Sequence, residues 1–167
     1  MVPLPAGVLP PVQRVLGEKA VRNAFTVTLD IEPRFRDTDA FGHVNNAVYV
    51  TYLEVGRQVY WARLIEGSDY RDVPFILAHV TIDFRSEALL SEVLEQGLSC
   101  AWIGDKSFAF DYRIRDKRSG RVVVEATTIQ VCYDYAAKRS IRMPEDLRRR
   151  LEAFEGRSLD RASRAKS

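Results

Sequence analysis

The chain has 167 residues, 46% hydrophobic and 29% charged, with 25 Lys and Arg against 23 Asp and Glu. That length suits one domain with a sizeable core and is too short for two ordinary domains with a cleft between them. A net charge of +2 argues against a dedicated nucleic-acid binder and an acidic disordered chain, and two distant cysteines, Cys100 and Cys132, against a disulfide scaffold or a zinc ribbon.

Four of the seven prolines fall in the first eleven positions, so residues 1–24 read as an arm carrying at most one short helix around 12–20. No basic segment precedes an apolar one there, and no apolar run reaches the roughly 18 residues a membrane span needs. A cytoplasmic protein without a membrane span is expected. Phe25, Val27, Leu29 and Ile31 then alternate with polar residues, which predicts a strand running to about Arg36.

From Asn46 to Glu66 there is no proline and one glycine, Gly56. Val48, Tyr49, Tyr52, Leu53, Val55, Val59, Tyr60 and Leu64 recur at spacings of three and four over more than half the circumference. The pattern predicts a largely buried helix, with Asn45 as its N-cap. Four strand-like runs follow, over 75–85, 92–103, 107–115 and 121–135. Turns at Gly104-Asp105 and Arg118-Ser119-Gly120 set off the third of them. In the first, Ile76, Ala78, Val80, Ile82 and Phe84 are expected on one face and Leu77, His79, Thr81 and Asp83 on the other.

Pro144 opens a short helix. Residues 147–167 carry seven Lys and Arg against three Asp and Glu, so the tail holds +4 and the body −2. Arg148, Arg149 and Arg150 read as a solvated helix face. The expected organisation is an arm at 1–24, a folded domain at 25–143, and a short helix with a basic tail at 144–167. One strand, one long helix and four strands predict an α+β fold: a five-stranded antiparallel sheet curved around the helix.

The densest run of chemically capable side chains is DTDAFGHVNNAVYVTYLE, residues 37–54, where the first strand gives way to the helix. A carboxylate at Asp39, just before a helix start, can be held by backbone N–H groups and the positive helix end and can act as general base or nucleophile. Gly42 allows a tight path between strand and helix. The first-turn N–H groups near Asn45 and Asn46 have no partner inside the helix and suit an oxyanion. Each residue alone also serves as an ordinary cap or turn residue. No Ser stands in a nucleophile-elbow setting, and His43 and His79, the only histidines, share no metal-ligand spacing.

The run RFRDTDAFGHVNNAVYVTYLE resembles the signature of the 4-hydroxybenzoyl-CoA thioesterase family, which has the hotdog fold, and the resemblance extends loosely over residues 25–150. It implies that Asp39, in Asp39-Ala40-Phe41-Gly42, is catalytic. It also implies that the backbone N–H of Asn46 polarises the thioester carbonyl. The run also resembles plant acyl-carrier-protein thioesterases, in which positions matching Asp39 and His43 are functional. Those relatives have an Asn where this chain has Phe41.

Gly42 and His43 are expected to shape the loop. Phe41, Asn45, Tyr49 and Leu53 are expected to border the acyl group, and Glu54, from the helix, to support the site. Lys106 and Ser107 match a Lys-Ser-Phe stretch near the coenzyme A phosphates in the family, and His79 is a candidate pocket wall. The implied substrate is an acyl-CoA, with coenzyme A as part of the substrate and no separate cofactor or metal. The implied assembly is a homodimer or homotetramer with the site at the protomer boundary, and no nucleic-acid partner. Two rivals are a hotdog hydratase or dehydratase, whose usual Asn-Pro step is absent here, and a non-catalytic acyl-CoA binding module.

Overall fold

A computed structural model of the chain describes residues 25–65 and 73–161. The alternating segments form strands β1 (Val27–Ile31), β2 (Phe75–Phe84), β3 (Leu94–Ile103), β4 (Ser107–Asp116) and β5 (Val122–Asp134), in the antiparallel order β1-β3-β4-β5-β2. A two-residue strand β6 (Arg139–Ser140) pairs with Tyr133 and Asp134, beyond the last residue of β5 that β4 reaches. The arm expected at residues 1–24 and the helix end expected at Glu66 lie outside the described residues.

β1 stops well short of Arg36. Pro33 cannot donate to a ladder, and the chain turns at once into a single 3-10 turn, Phe35–Asp37. β2 also departs from strict alternation. The register slips between Leu77 and His79, so Ala78 is a bulge. Phe75 and Leu77 therefore share a face with Val80, Ile82 and Phe84, whereas Ile76 joins His79, Thr81 and Asp83 on the other.

Helix α1 (Val48–Leu64) lies across the sheet, burying Tyr49, Tyr52, Leu53, Gly56, Arg57, Tyr60 and Trp61. Those positions are one stripe at spacings of three and four. The helix is less buried than its apolar circumference suggests: Val50 and Val55 on the outer face are 38% and 39% exposed. Aromatic residues make the seam. Trp61 stacks on Phe75 with centroids 5.3 Å apart and meets Phe108 and Phe110 edge-on, and Tyr60 meets Phe110 at 4.7 Å.

The last segment belongs to the core rather than standing apart as an accessory tail. Helix α2 (Glu145–Glu155) has Pro144 at its N-cap and Gly156, at φ +64°, at its C-cap. It buries Leu147 and Leu151, and Phe154 packs on Tyr60 at 5.0 Å. The chain then runs beside β3 past the end of β1, with the Ile103 N–H bonded to the Leu159 carbonyl at 2.6 Å. The helix is amphipathic: Arg149 and Arg150 are exposed, Arg148 is half-buried and donates to the Gly104 carbonyl at 3.0 Å, and Leu147 and Leu151 face in.

Candidate active site

The path from β1 to α1 is a small hairpin. Thr38 bridges Val44, the Asp39 N–H donates to the His43 carbonyl at 2.8 Å, and the Gly42 N–H donates to the Asp39 carbonyl at 3.1 Å. Gly42 sits at φ +82°, a left-handed conformation that glycine adopts without strain. Its base is tied down by the Asn45 N–H on the Asp37 carbonyl and the Val44 N–H on the Ala88 carbonyl, both 2.8 Å. His43 also bridges Leu89 in the β2–β3 connection.

The two aspartates of this run have different work. Asp37 is buried and fully engaged. It accepts from the Arg34 guanidinium at 3.0 and 3.1 Å, from the Arg34 N–H at 2.9 Å and from the Tyr52 hydroxyl at 3.0 Å. The Arg34 side-chain bond in the first place holds its carboxyl below the usual aspartate range, with the other two bonds adding to it against the cost of burial. Burial, with Asp37 beside it, pushes the Tyr52 hydroxyl well above its ordinary range. This clamp fixes the hairpin to α1. Sequence reading missed Arg34 and Tyr52. An Arg three residues before an Asp was the available signal, but nothing linear connects Tyr52 to it.

Asp39 is half-buried and presented. Its Oδ1 accepts from the Phe41 N–H at 2.8 Å and the His43 N–H at 3.2 Å, while Oδ2 has no partner among the described residues. One oxygen is thus fixed by two backbone N–H groups of its own hairpin. The His43 side chain has no hydrogen-bond partner among the described residues, so its part in the loop is through its backbone.

The same hairpin leads straight into the approach to α1. Asn45 opens that approach rather than the regular helix: its Oδ1 accepts from the Ala47 N–H at 2.9 Å and its carbonyl from the Val48 N–H at 2.9 Å. Asn46 is exposed, and its backbone N–H has no acceptor among the described residues. An unpaired N–H before a helix is the donor an oxyanion needs.

The remaining candidates divide. Phe41, at the hairpin tip, is 83% exposed. Tyr49 is buried against Phe84 (5.6 Å) and Tyr52 (5.8 Å), and burial pushes its hydroxyl up to about 12. Leu53 is fully buried in the core. Glu54 is exposed on α1, one turn beyond Val50. His79 lies on the sheet face away from α1, 2.9 Å from the Thr81 hydroxyl.

Lys106 ends the β3–β4 turn and Ser107 begins β4, whereas the Asp39 hairpin is tied to the β2–β3 connection at the other end of the sheet. The ten residues of β3 separate those ends by roughly 30 Å, so one chain does not bring Lys106 to Asp39. Beside the hairpin, Tyr49 of α1 packs edge-on against Phe84 of β2, which is 46% exposed, and Val50 on the outer face of α1 is 38% exposed. Sequence reading did not single out the Tyr49–Phe84 contact, because nothing local to either segment places β2 beside the start of α1. Among the described residues no three His, Cys, Asp or Glu side chains gather in a metal-holding group.

Residues 33–151 match the model of the thioesterase-like superfamily. The long-chain acyl-CoA thioesterase FadM of Escherichia coli (strain K12) is 28% identical over 127 residues, 73% of this chain and 94% of that protein. Among solved structures, a thioesterase of Thermus thermophilus in complex with coenzyme A and Zn is similar at TM-score 0.74 and 29% identity, over 82% of this chain and 99% of that one. YbaW, a probable thioesterase of Escherichia coli, is similar at TM-score 0.66 and 27% identity, over 77% of this chain and 98% of that one.

Proposed function

The chain belongs to the thioesterase-like superfamily, and we propose that it is a cytoplasmic acyl-CoA thioesterase with Asp39 as its general base. The observation that carries this reading is the presentation of Asp39: one carboxylate oxygen held by two backbone N–H groups, the other without a partner among the described residues. The resemblance of residues 34–54 to the 4-hydroxybenzoyl-CoA thioesterase signature supports the same assignment.

In the proposed reaction Asp39 Oδ2 takes a proton from water as the water oxygen adds to the thioester carbonyl. The carbonyl oxygen becomes an oxyanion and accepts from the Asn46 N–H. Collapse breaks the C–S bond, and the sulfur leaves with the proton. The products are a carboxylic acid and coenzyme A. Gly42 and His43 hold the hairpin that aims the carboxylate, and Phe41 and Asn45 border the mouth.

The working unit in this reading is a dimer. β2 pairs with β5 on one side only, so its other edge is a free row of backbone donors and acceptors among the described residues, and Leu77 on it is 39% exposed. Antiparallel pairing of two β2 edges about a two-fold axis joins the sheets and covers the exposed face of α1. It also brings the opposite end of the neighbouring sheet beside Asp39. Lys106 of the partner subunit then comes within reach of the coenzyme A phosphates, which resolves the separation within one chain.

The test is product analysis with a panel of acyl-CoA esters. Free thiol with the intact acid identifies the thioesterase. An altered acyl chain still joined to coenzyme A identifies a hydratase, and binding without turnover a carrier module.

A further inference from the structure

The two groups assigned to the reaction stand on different supports. Asp39 rides on the hairpin, which is tied to the β2–β3 connection by the Val44 N–H on the Ala88 carbonyl and by the bridge from His43 to Leu89. Asn46 stands in the approach to α1, where the Val48 N–H holds the neighbouring Asn45 carbonyl at 2.9 Å. No hydrogen bond among the described residues joins Asp39 to Asn46. A base and an oxyanion donor must nevertheless meet one thioester carbonyl together, and a misplacement of about 1 Å can cost on the order of a hundredfold in rate.

Asp37 spans the two supports. Its carbonyl accepts from the Asn45 N–H at 2.8 Å, and its carboxylate accepts from the Tyr52 hydroxyl at 3.0 Å. Tyr52 lies one turn into α1 from Val48, buried, with its ring edge-on to that of Tyr49. Among the described residues, the Asp37–Tyr52 bond is the side-chain hydrogen bond that joins residues 37–45 to α1. The segment it closes, fifteen residues from end to end, contains both Asp39 and Asn46. From the other side the Arg34 guanidinium and N–H fix the same carboxylate, at 2.9 to 3.1 Å.

The bond has one sense. The Arg34 bonds keep Asp37 ionised below the usual aspartate range, so its carboxylate only accepts. Burial keeps the Tyr52 hydroxyl protonated well above its ordinary range, so it donates throughout the neutral range. A phenyl ring at position 52 would fill the same space with no polar atom to desolvate. What the hydroxyl adds is direction: it fixes where the start of α1 stands against the base of the hairpin.

We infer that Tyr52 is a positioning residue of the reaction: through Asp37, its hydroxyl sets the separation between the Asp39 carboxylate and the oxyanion donor at Asn46. This rests on the thioesterase reading above. Tyr52 acts only through Asp37 and touches no reacting atom.

The experiment removes one oxygen. With the most active acyl-CoA ester, Tyr52→Phe is expected to lower kcat about tenfold while KM stays within about twofold, the pattern of an interaction realised in the transition state. Introduced into Asp39→Asn, the same change should lower kcat by less than about twofold, because groups that act as a unit are not additive. Asp37→Ala should reproduce the loss, and Asp37→Asn, whose amide oxygen still accepts from Tyr52, should recover most of it. Tyr52→Phe turnover within about twofold of wild type overturns the inference. An equal loss in both backgrounds also overturns it, since that marks a framework role. Should Tyr52→Phe fail to fold, the two Asp37 variants decide. Should no ester release thiol, or Asp39→Asn turn over like wild type, the thioesterase or base assignment fails separately. Amide hydrogen exchange then decides the coupling of hairpin to helix. The Asn45 N–H should exchange at least about tenfold faster in Tyr52→Phe while those of β4 are unchanged, and an unchanged Asn45 rate refutes it.

Discussion

Glu155 is the last residue of α2, and its side chain is 1% exposed. Its Oε1 accepts from the Cys100 N–H at 2.6 Å and the Tyr60 hydroxyl at 2.8 Å, and its Oε2 from the Thr26 hydroxyl at 2.7 Å. One carboxylate thus joins α2 to α1, to β3 and to the residue before β1. Glu155→Ala strands the Cys100 N–H and the Tyr60 hydroxyl in places water does not reach. At roughly 1–3 kcal/mol for each buried group left unpaired, the loss is about 3–5 kcal/mol. For a chain of this size that lowers the melting temperature by about 10 °C. Glu155→Gln should cost much less, because its oxygen keeps both bonds to Cys100 and Tyr60 while its N–H2 faces a Thr26 hydroxyl able to accept. Thermal denaturation followed by circular dichroism reads both variants. An Ala variant within about 1 kcal/mol of wild type, or a Gln variant as damaged as Ala, refutes the reasoning.

Three further outcomes are expected. Gly42→Ala meets no atom within 4 Å but must hold φ near +82°, so it costs stability about 1–2 kcal/mol and, by displacing Asp39, should cut kcat on the order of tenfold; unchanged kcat removes the link between hairpin shape and catalysis. The folded Asp37 carboxyl releases its proton more readily than the unfolded chain's, so its stabilisation is complete above the ordinary aspartate range, near pH 4, and fades as pH falls through the lower folded value. The melting-temperature gap between wild type and Asp37→Asn should therefore narrow on acidification below about pH 4, and a gap that stays constant to about pH 2 contradicts the clamp. If two β2 edges pair as proposed, Leu77→Lys at that edge should give a smaller species in sedimentation than the wild type and a lower kcat; a fully active wild-type monomer overturns the shared site.

Strand positions were legible because period-two alternation depends on local sequence, and the β3, β4 and β5 segments lie within two residues of their expected limits. Faces were less legible. A single bulge at Ala78 reverses the alternation of β2, and bulges are set by pairing with β5 rather than by β2 itself. The apolar circumference of α1 predicts burial but not its agent. One stripe is covered by the chain's own sheet, and Val50 and Val55 on the outer face stay partly exposed. The helix after Pro144 was legible from the proline, but its docking on the core was not, although Leu147, Leu151 and Phe154 carry the spacing of a buried stripe.

Within the site, two carboxylates two positions apart look equivalent in sequence. Their separation into a buried clamp and a half-buried carboxylate with one unpartnered oxygen among the described residues depends on Tyr52, fifteen residues from Asp37, and on which N–H groups the hairpin turns inward. The buried hydrogen bond of Arg57 was unreadable for a similar reason. Its surroundings, Tyr112 and Thr128, come from strands more than fifty residues downstream.

The most direct test of the account is the rate of thiol release by Asp39→Asn beside wild type, with the most active acyl-CoA ester and with both proteins shown to be folded by their melting curves. The amide keeps the Oδ1 contacts to Phe41 and His43 and removes only the basic oxygen. A fall in kcat of at least about a hundredfold, with the melting temperature little changed, is the predicted result. Turnover within a few-fold of wild type would show that the proton goes elsewhere.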